Sequence, residues 1–511
     1  MPNESPLLLD ASALSIEDVV DVARRSRAVA LAPEVVGRLE SMRAKLEALT
    51  TDGNAYYGIN TGFGSLARTR IDSERLRELQ ANLIRSHAAG VGDPLSEDIV
   101  RGMMLLLAAS LSRGYSGVRP VVVETILAWL NAGLTPVVPS LGSVGASGDL
   151  APLAHVVLSM MGEAPTMDGR TPQDAGIKPL ALEAKEGLAL INGTHLMAAQ
   201  GALMLCDYAN LWYAALFANA MSIDAFRASD SYLHSGAHAI RFALQPTSAA
   251  VNLEMLLHGS QILPSHKTDD PRVQDPYSFR CSPYVLEAVD DLVNYVHKAV
   301  ERELGAVTDN PLLFPNGDTL SVVSAGNFHG MPIAIPLDTL AIAVAHIAGI
   351  SERRVFAILA ASDPETHLLP YLSHGPGLHS GLMIAQYTAA ALVNEIAGLA
   401  SPASVINLPT SAGIEDYNSF GPRSAAKAAR SIELARQVVA IELICAAEGI
   451  EFHRPLLSGH GVEEAIRHIR EVVPSFSEDR SPAPAIGAVS DMIQRGVFDD
   501  IYSSLEPFEG E

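Results

Sequence analysis

The sequence predicts a mainly α protein: a loop-rich, mixed N-terminal lobe (1–191) carrying a glycine-rich loop, followed by a long central helical bundle (192–511). Three observations predict it. From residue 192 onward, long Ala/Leu-rich stretches carry the helical apolar period, with loops at 262–283, 308–335, 363–380 and 401–422. Few runs alternate with the period of a strand. Upstream of 192, glycine- and proline-rich segments separate shorter helical stretches.

In chain order, residues 12–50 read as short helices, and "SIEDVVDVARR" opens on a Ser15 cap followed by acidic residues. "YYGINTGFGSLA" (56–67) is a loop broken by Gly58, Gly62 and Gly64. The helical period returns in "DSERLRELQANLIRSHAAG", where Leu76, Leu79, Leu83 and Ile84 share a face. "VRGMMLLLAASLSRG" and "RPVVVETILAWLNAG" follow, the second closing on a C-cap at Asn131-Ala132-Gly133. "LTPVVPSLGSVGASGDLAP" is irregular, with three prolines and three glycines.

The chain is 511 residues long, which implies two or more lobes, and its 48% hydrophobic against 18% charged residues supply a large core. With 35 Lys plus Arg against 58 Asp plus Glu, the net charge is −23, which repels polyanions and excludes nucleic acid as an expected partner. Cys206, Cys281 and Cys445 have neither CxxC nor Cys/His metal spacing, so no metal site and a reducing cytoplasm are expected. The acidic N-terminus lacks the basic start of a signal peptide. Two segments approach membrane length, Leu196 to Ser222 and Gly381 to Ala400. Polar residues such as Asp207, Asn219, Asn394 and Glu395 interrupt them, so both read as buried helices of a soluble assembly.

The stretch "GSVGASGDLAPLAH" (142–155) is the most informative. A phosphate loop needs Gly-Lys, and the chain has no such pair here. A dinucleotide loop needs GxGxxG, whereas this one reads GxxGxxG. A hydrolase elbow needs GxSxG, but Gly148 directly follows Ser147. Ala146-Ser147-Gly148 permits something else. Gly148 has no β-carbon, so its nitrogen can approach the Ala146 carbonyl carbon. Ring closure with loss of one water, and loss of the Ser147 hydroxyl as a second, would leave an imidazolone bearing an electrophilic methylene. The plain alternative is a tight turn with Gly148 at positive φ.

The stretch is similar to the signature of the aromatic amino-acid ammonia-lyases, which make 4-methylidene-imidazol-5-one (MIO) from Ala-Ser-Gly. The resemblance runs along nearly the whole chain, through "YGINTGFG", "NLIRSHAAGVG", "INGTH", "VQDPYSFRC", "TDNPLLF", "GNFHG" and "LPTSAGIED". It implies an enzyme acting on a small-molecule substrate, an aromatic L-amino acid, in a homotetramer whose sites are shared between subunits. Tyr57 then resembles the catalytic tyrosine that removes a β-proton, a task for which a phenol needs neighbours that favour its ionised form. Arg280 is the candidate clamp for the substrate carboxylate, with Tyr277 and Gln274 on the same loop. Asn192 resembles the asparagine near prosthetic group and carboxylate, and Phe328 the aromatic beside the ring; Gln274 and Phe328 can equally be read as filling a turn. Asp149 could assist dehydration or cap its own helix.

Ser86-His87 resembles the histidine branch, as does Glu415, whose carboxylate can hold an imidazole N–H. The expected reaction is therefore L-histidine to trans-urocanate. Met331, Ile406, Tyr417 and Phe420 depart from that branch and lean toward tyrosine or phenylalanine lyases or a 2,3-aminomutase. A scaffold without activity has no need of Tyr57, Ala146, Ser147, Gly148 and Arg280 together.

Overall fold

A computed structural model describes residues 5–50, 54–62, 71–241, 248–268 and 270–505. Its helices are α1 (Ile16–Arg24), α2 (Pro33–Thr50), α3 (Leu76–His87), α4 (Glu97–Ser112), α5 (Pro120–Asn131), α6 (Leu150–Met160), α7 (Glu186–Ile191), α8 (His195–Phe226) and α9 (Ser235–Arg241). They continue as α10 (Ser248–Leu257), α11 (Tyr277–Arg280), α12 (Ser282–Leu304), α13 (Met331–Ala360), α14 (Met383–Leu399), α15 (Gly421–Glu451), α16 (His460–Val472), α17 (Ala483–Gln494) and α18 (Val497–Ser504). Among the described residues, strands occur only as three short pairs. These are β1 (Leu7–Leu9) with β2 (Val29–Leu31), β3 (Val91–Pro94) with β4 (Pro139–Leu141), and β5 (Leu312–Asn316) with β6 (Thr319–Val323). The mainly α class expected from the sequence is the class observed.

By its contacts the chain groups into two compact units with bounds other than 191/192. One unit comprises 1–205, 296–338 and 402–426, and the other 206–295, 339–401 and 427–511. The reason is that α8, α12, α13 and α15 are long enough to run through both, so the chain re-enters the first unit twice. Those two returning segments carry much of the functional site.

Local signals in the first unit behave as expected. Ser15 Oγ accepts from Asp18 N at 3.1 Å while Asp18 accepts from Ser15 N at 3.1 Å, a reciprocal capping box that starts α1. Helix α5 ends at Asn131, and Gly133 N reaches the Leu130 carbonyl at 3.2 Å. Helix α4 is buried from Val100 to Ser112 and packs on α1 and α5. Gly64 lies outside the described residues.

In the second unit the core holds a charged pair. Arg354 Nη2 donates to Glu442 Oε2 at 3.0 Å, Ser222 Oγ donates to Glu442 Oε1 at 2.7 Å, and Arg354 Nη1 reaches the Ser278 carbonyl at 3.2 Å. Buried charges survive only when paired and hydrogen-bonded, and this pair is both.

One expectation needs correction. The 308–335 loop contains the β5–β6 hairpin, in register from Leu312↔Val323 to Asn316↔Thr319. Pro315 and Gly317 make it read as irregular, but they sit at the strand end and in the tight turn. Helix α14, expected to be buried within an assembly, has only Ala385, Ala389 and Ile396 buried by this chain, while Ile384 and Tyr387 are about 60% exposed (59% and 61%). Its residues are apolar on most sides, and the fold of this chain covers one of them. Helix α13 is long and apolar enough to cross a membrane by length and composition, yet 61% of its most apolar stretch is buried inside the fold, as in a core helix.

Candidate active site

The glycine-rich turn links β4 to α6, and backbone pairing holds it on two sides. Gly148 forms a parallel bridge with Gly193, with Asp149 N donating to the Gly193 carbonyl at 2.7 Å. On the other side, Phe420 N donates to the Val144 carbonyl at 2.9 Å, and Ser419 Oγ donates to the Gly145 carbonyl at 2.9 Å. Gly148 has φ +73°, and a β-carbon there would lie 2.1 Å from the Gly193 oxygen. Only glycine fits. This bare cradle and the serine preceding it fit the ring-forming tripeptide that the resemblance implies. Ala146 and Ser147 line the cavity that the turn borders, whereas Gly148 lies behind them in the bridge.

Asp149 precedes α6 but makes no cap bond to it. Its Oδ2 instead accepts from Leu196 N at 3.0 Å and Met197 N at 3.2 Å, capping α8 from outside. Ser143 Oγ donates to its other oxygen at 3.2 Å. Asp149 is fully buried, and burial pushes its carboxyl up to about 7 even though these bonds favour the charged form. Of the two roles left open for it, the geometry supports capping, of a different helix from the one expected.

The cavity measures about 940 Å³, the size of a small-molecule site. Tyr57, Ser86, His87, Asn192, Phe328 and Glu415 join Ala146 and Ser147 in its walls. Tyr57 arrives on a loop whose Gly58, at φ +70°, packs so closely on Leu188 that a β-carbon would lie 2.4 Å from it. Ser86 and His87 end α3. His87 Nδ1 lies 2.9 Å from the Leu83 carbonyl, and a carbonyl can only accept, so Nδ1 carries the proton and Nε2 keeps a lone pair. Burial holds His87 below its ordinary value, with the Leu83 bond and the Glu415 charge pulling the other way.

Asn192 is anchored from behind. Its amide nitrogen donates to the Asn310 carbonyl at 3.0 Å and contacts Asp309 at 3.4 Å, and Asp309 pairs with the fully buried Lys185 at 2.7 Å. Glu415 Oε1 accepts from Ser147 Oγ at 3.2 Å. That contact puts the carboxylate beside Ser147.

Gln274, Tyr277 and Arg280 do not line this cavity; they belong to the second unit. There they form their own cluster. Arg280 Nη2 donates to Gln274 Oε1 at 2.9 Å, and the guanidinium lies 4.6 Å from the centre of the Tyr277 ring. Tyr277 is 69% exposed.

The sequence reading passed over Asn82, Asn310, His329 and Asp416, all of which line the cavity. Asn82, Asn310 and His329 stand inside the motifs "NLIRSH", "TDNPLLF" and "GNFHG", so the signal lay in the quoted stretches. His329 Nε2 donates to the Tyr417 carbonyl at 2.9 Å and its ring stacks on Tyr417, bracing two loops of the cavity rim.

Known proteins resemble the chain over nearly its whole length. The family model described as aromatic amino acid lyase matches residues 14–471. A histidine ammonia-lyase from Symbiobacterium thermophilum is 45% identical, covering 97% of this chain and 98% of that protein. The crystal structure of histidine ammonia-lyase from Trypanosoma cruzi matches with a TM-score of 0.89 at 36% identity, covering 99% of this chain and 96% of that one. A tyrosine aminomutase from Streptomyces globisporus matches with a TM-score of 0.91 at 32% identity, covering 99% and 100%. The chain belongs to the aromatic amino acid lyase family.

Proposed function

We propose that this enzyme eliminates ammonia from L-histidine to give trans-urocanate, using an MIO group formed from Ala146-Ser147-Gly148. The observation that carries the reading is the meeting of Ser147, Glu415, Tyr57 and His87 around one cavity. When formed, MIO supplies an electrophile that ordinary side chains lack.

The chain's own residues divide the remaining work. Tyr57 takes the β-proton. Glu415, beside Ser147, accepts an N–H from the amino group at the departing end. His87 offers the Nε2 lone pair to a ring N–H, which imidazole has and phenyl lacks, and a polar pocket left unpaired discriminates strongly. Asn192, fixed by Asp309 and Asn310, lines the carboxylate side.

The carboxylate clamp comes from a second copy. Tyr277 and Gln274, exposed, and the half-buried Arg280 form a cluster outside the cavity, and a homotetramer with shared sites would deliver them. The half-covered α14 also fits burial between copies. Three cysteines without disulfides fit the cytoplasm.

A second reading is a tyrosine-type lyase or 2,3-aminomutase, favoured by Tyr417 on the cavity wall and the likeness to the Streptomyces globisporus aminomutase. Incubation with each aromatic amino acid, followed by ultraviolet detection of the unsaturated acid, tests both. Preference for tyrosine over histidine rejects histidine as substrate, and a β-amino acid product identifies a mutase.

A further inference from the structure

We infer that Thr410 is a positioning residue that aims the Glu415 carboxylate at Ser147. The inference rests on the function proposed above. Thr410 does not line the cavity, and its hydroxyl reaches the site through Glu415. Its hydroxyl donates to Glu415 Oε2 at 2.9 Å, while Glu415 Oε1 accepts from Ser147 Oγ at 3.2 Å. Each carboxylate oxygen therefore has its own partner; the Ser147 hydroxyl leaves when the ring forms, but the bond to Thr410 remains and keeps the other oxygen turned toward position 147.

The backbone makes this pairing local. Thr410 and Glu415 form an isolated antiparallel bridge, with Thr410 N donating to the Glu415 carbonyl at 2.8 Å and Glu415 N to the Thr410 carbonyl at 3.3 Å. The turn between them runs through Ser411, Ala412 and Gly413, all left-handed, with φ of 50°, 54° and 86°. Two non-glycine residues in that region mark a turn held by its surroundings, as is common at functional sites. The turn brings the two residues face to face, and the threonine hydroxyl sets the last torsion.

The test compares Thr410→Val, which removes the hydroxyl and keeps the shape, with Thr410→Ser, which keeps it. With L-histidine, Thr410→Val is expected to lower kcat by about 10- to 100-fold and to change KM by less than about threefold, as for loss of an interaction made in the transition state. Thr410→Ser should stay within about threefold of wild type. Adding Thr410→Val to Glu415→Gln should cost little more than Glu415→Gln alone, since the two act as a unit. Wild-type turnover in Thr410→Val, equal loss in both Thr410 variants, or multiplicative losses in the double variant would overturn the inference. Crystal structures of both variants read the carboxylate direction without substrate. An unmoved Glu415 in Thr410→Val refutes the positioning role whatever the enzyme turns over, whereas a wild-type enzyme inactive on every aromatic amino acid refutes the proposed function instead.

Discussion

Gly148 and Gly193 pair so closely that a β-carbon on Gly148 would stand 2.1 Å from the Gly193 carbonyl oxygen. Two neighbouring substitutions should therefore behave differently. Gly148→Ala must break the bridge and strain a left-handed residue, with an expected loss of roughly 2 kcal/mol or more and a lower Tm. Ser147→Ala disturbs neither and should keep the wild-type Tm while abolishing turnover. Mass analysis of the purified chains completes the comparison: wild type should be lighter than its sequence by two waters, and neither variant should.

Asp149 makes stability depend on pH. Its ordinary value is 3.8 and its folded value is about 7, so between these the folded chain holds a proton that the unfolded chain has released. Stability from this group is thus full below about pH 4 and is lost as pH rises through about 7. Asp149→Asn, which keeps an oxygen for Leu196 N and Met197 N, removes the titration. The stability difference between wild type and variant should change by a few kcal/mol (about 1.4 per pH unit) across pH 4 to 7 and then level off. A difference independent of pH, measured by denaturant unfolding, would refute this.

The site was legible in the sequence where chemistry constrains a local stretch. The need for a glycine at Gly148 could be read from the Ala146-Ser147-Gly148 motif, and Gly148 occupies a place where no β-carbon fits. Contacts between distant segments were not legible. Asp149 sits where a cap for α6 is expected, yet its carboxylate serves α8, 47 residues further on. Glu415 could be chosen as a polar pocket residue, but its contact with a serine 268 positions away required the fold. The same holds for the division of the chain, because helical periodicity identifies α8, α12, α13 and α15 without indicating that each runs through two units.

The Arg354–Glu442 pair predicts a reversal of sign between single and double variants. Arg354 is 1% exposed by its side chain and Glu442 is fully buried. Arg354→Met leaves the Glu442 carboxylate buried with the Ser222 hydroxyl as its remaining donor among the described residues, at an expected cost of about 3–5 kcal/mol. Replacing both, as Arg354→Met with Glu442→Leu, removes the stranded charge and should recover most of that loss. A double variant no more stable than the single one in urea unfolding would show that packing, not charge, governs this part of the core.

Substrate choice should follow the end of α3. His87 is held with Nδ1 on the Leu83 carbonyl, so Nε2 is left to accept from the substrate ring, and Ser86 Oγ is already engaged with Leu83 at 3.0 Å. Changing the pair to Phe-Leu replaces an acceptor with apolar surface. Ser86→Phe with His87→Leu should lower kcat/KM for histidine by at least about 100-fold and raise the ratio of phenylalanine to histidine turnover. The gain for phenylalanine itself should stay small while Glu415 remains, because an apolar ring leaves that carboxylate without a donor from the substrate. Adding Glu415→Gln removes the pocket's negative charge and should raise phenylalanine turnover further if the carboxylate faces the ring. It should depress turnover of both substrates if Glu415 works at the departing amine, the role that its 3.2 Å contact with Ser147 favours. Initial rates by ultraviolet absorbance on the two amino acids separate these outcomes.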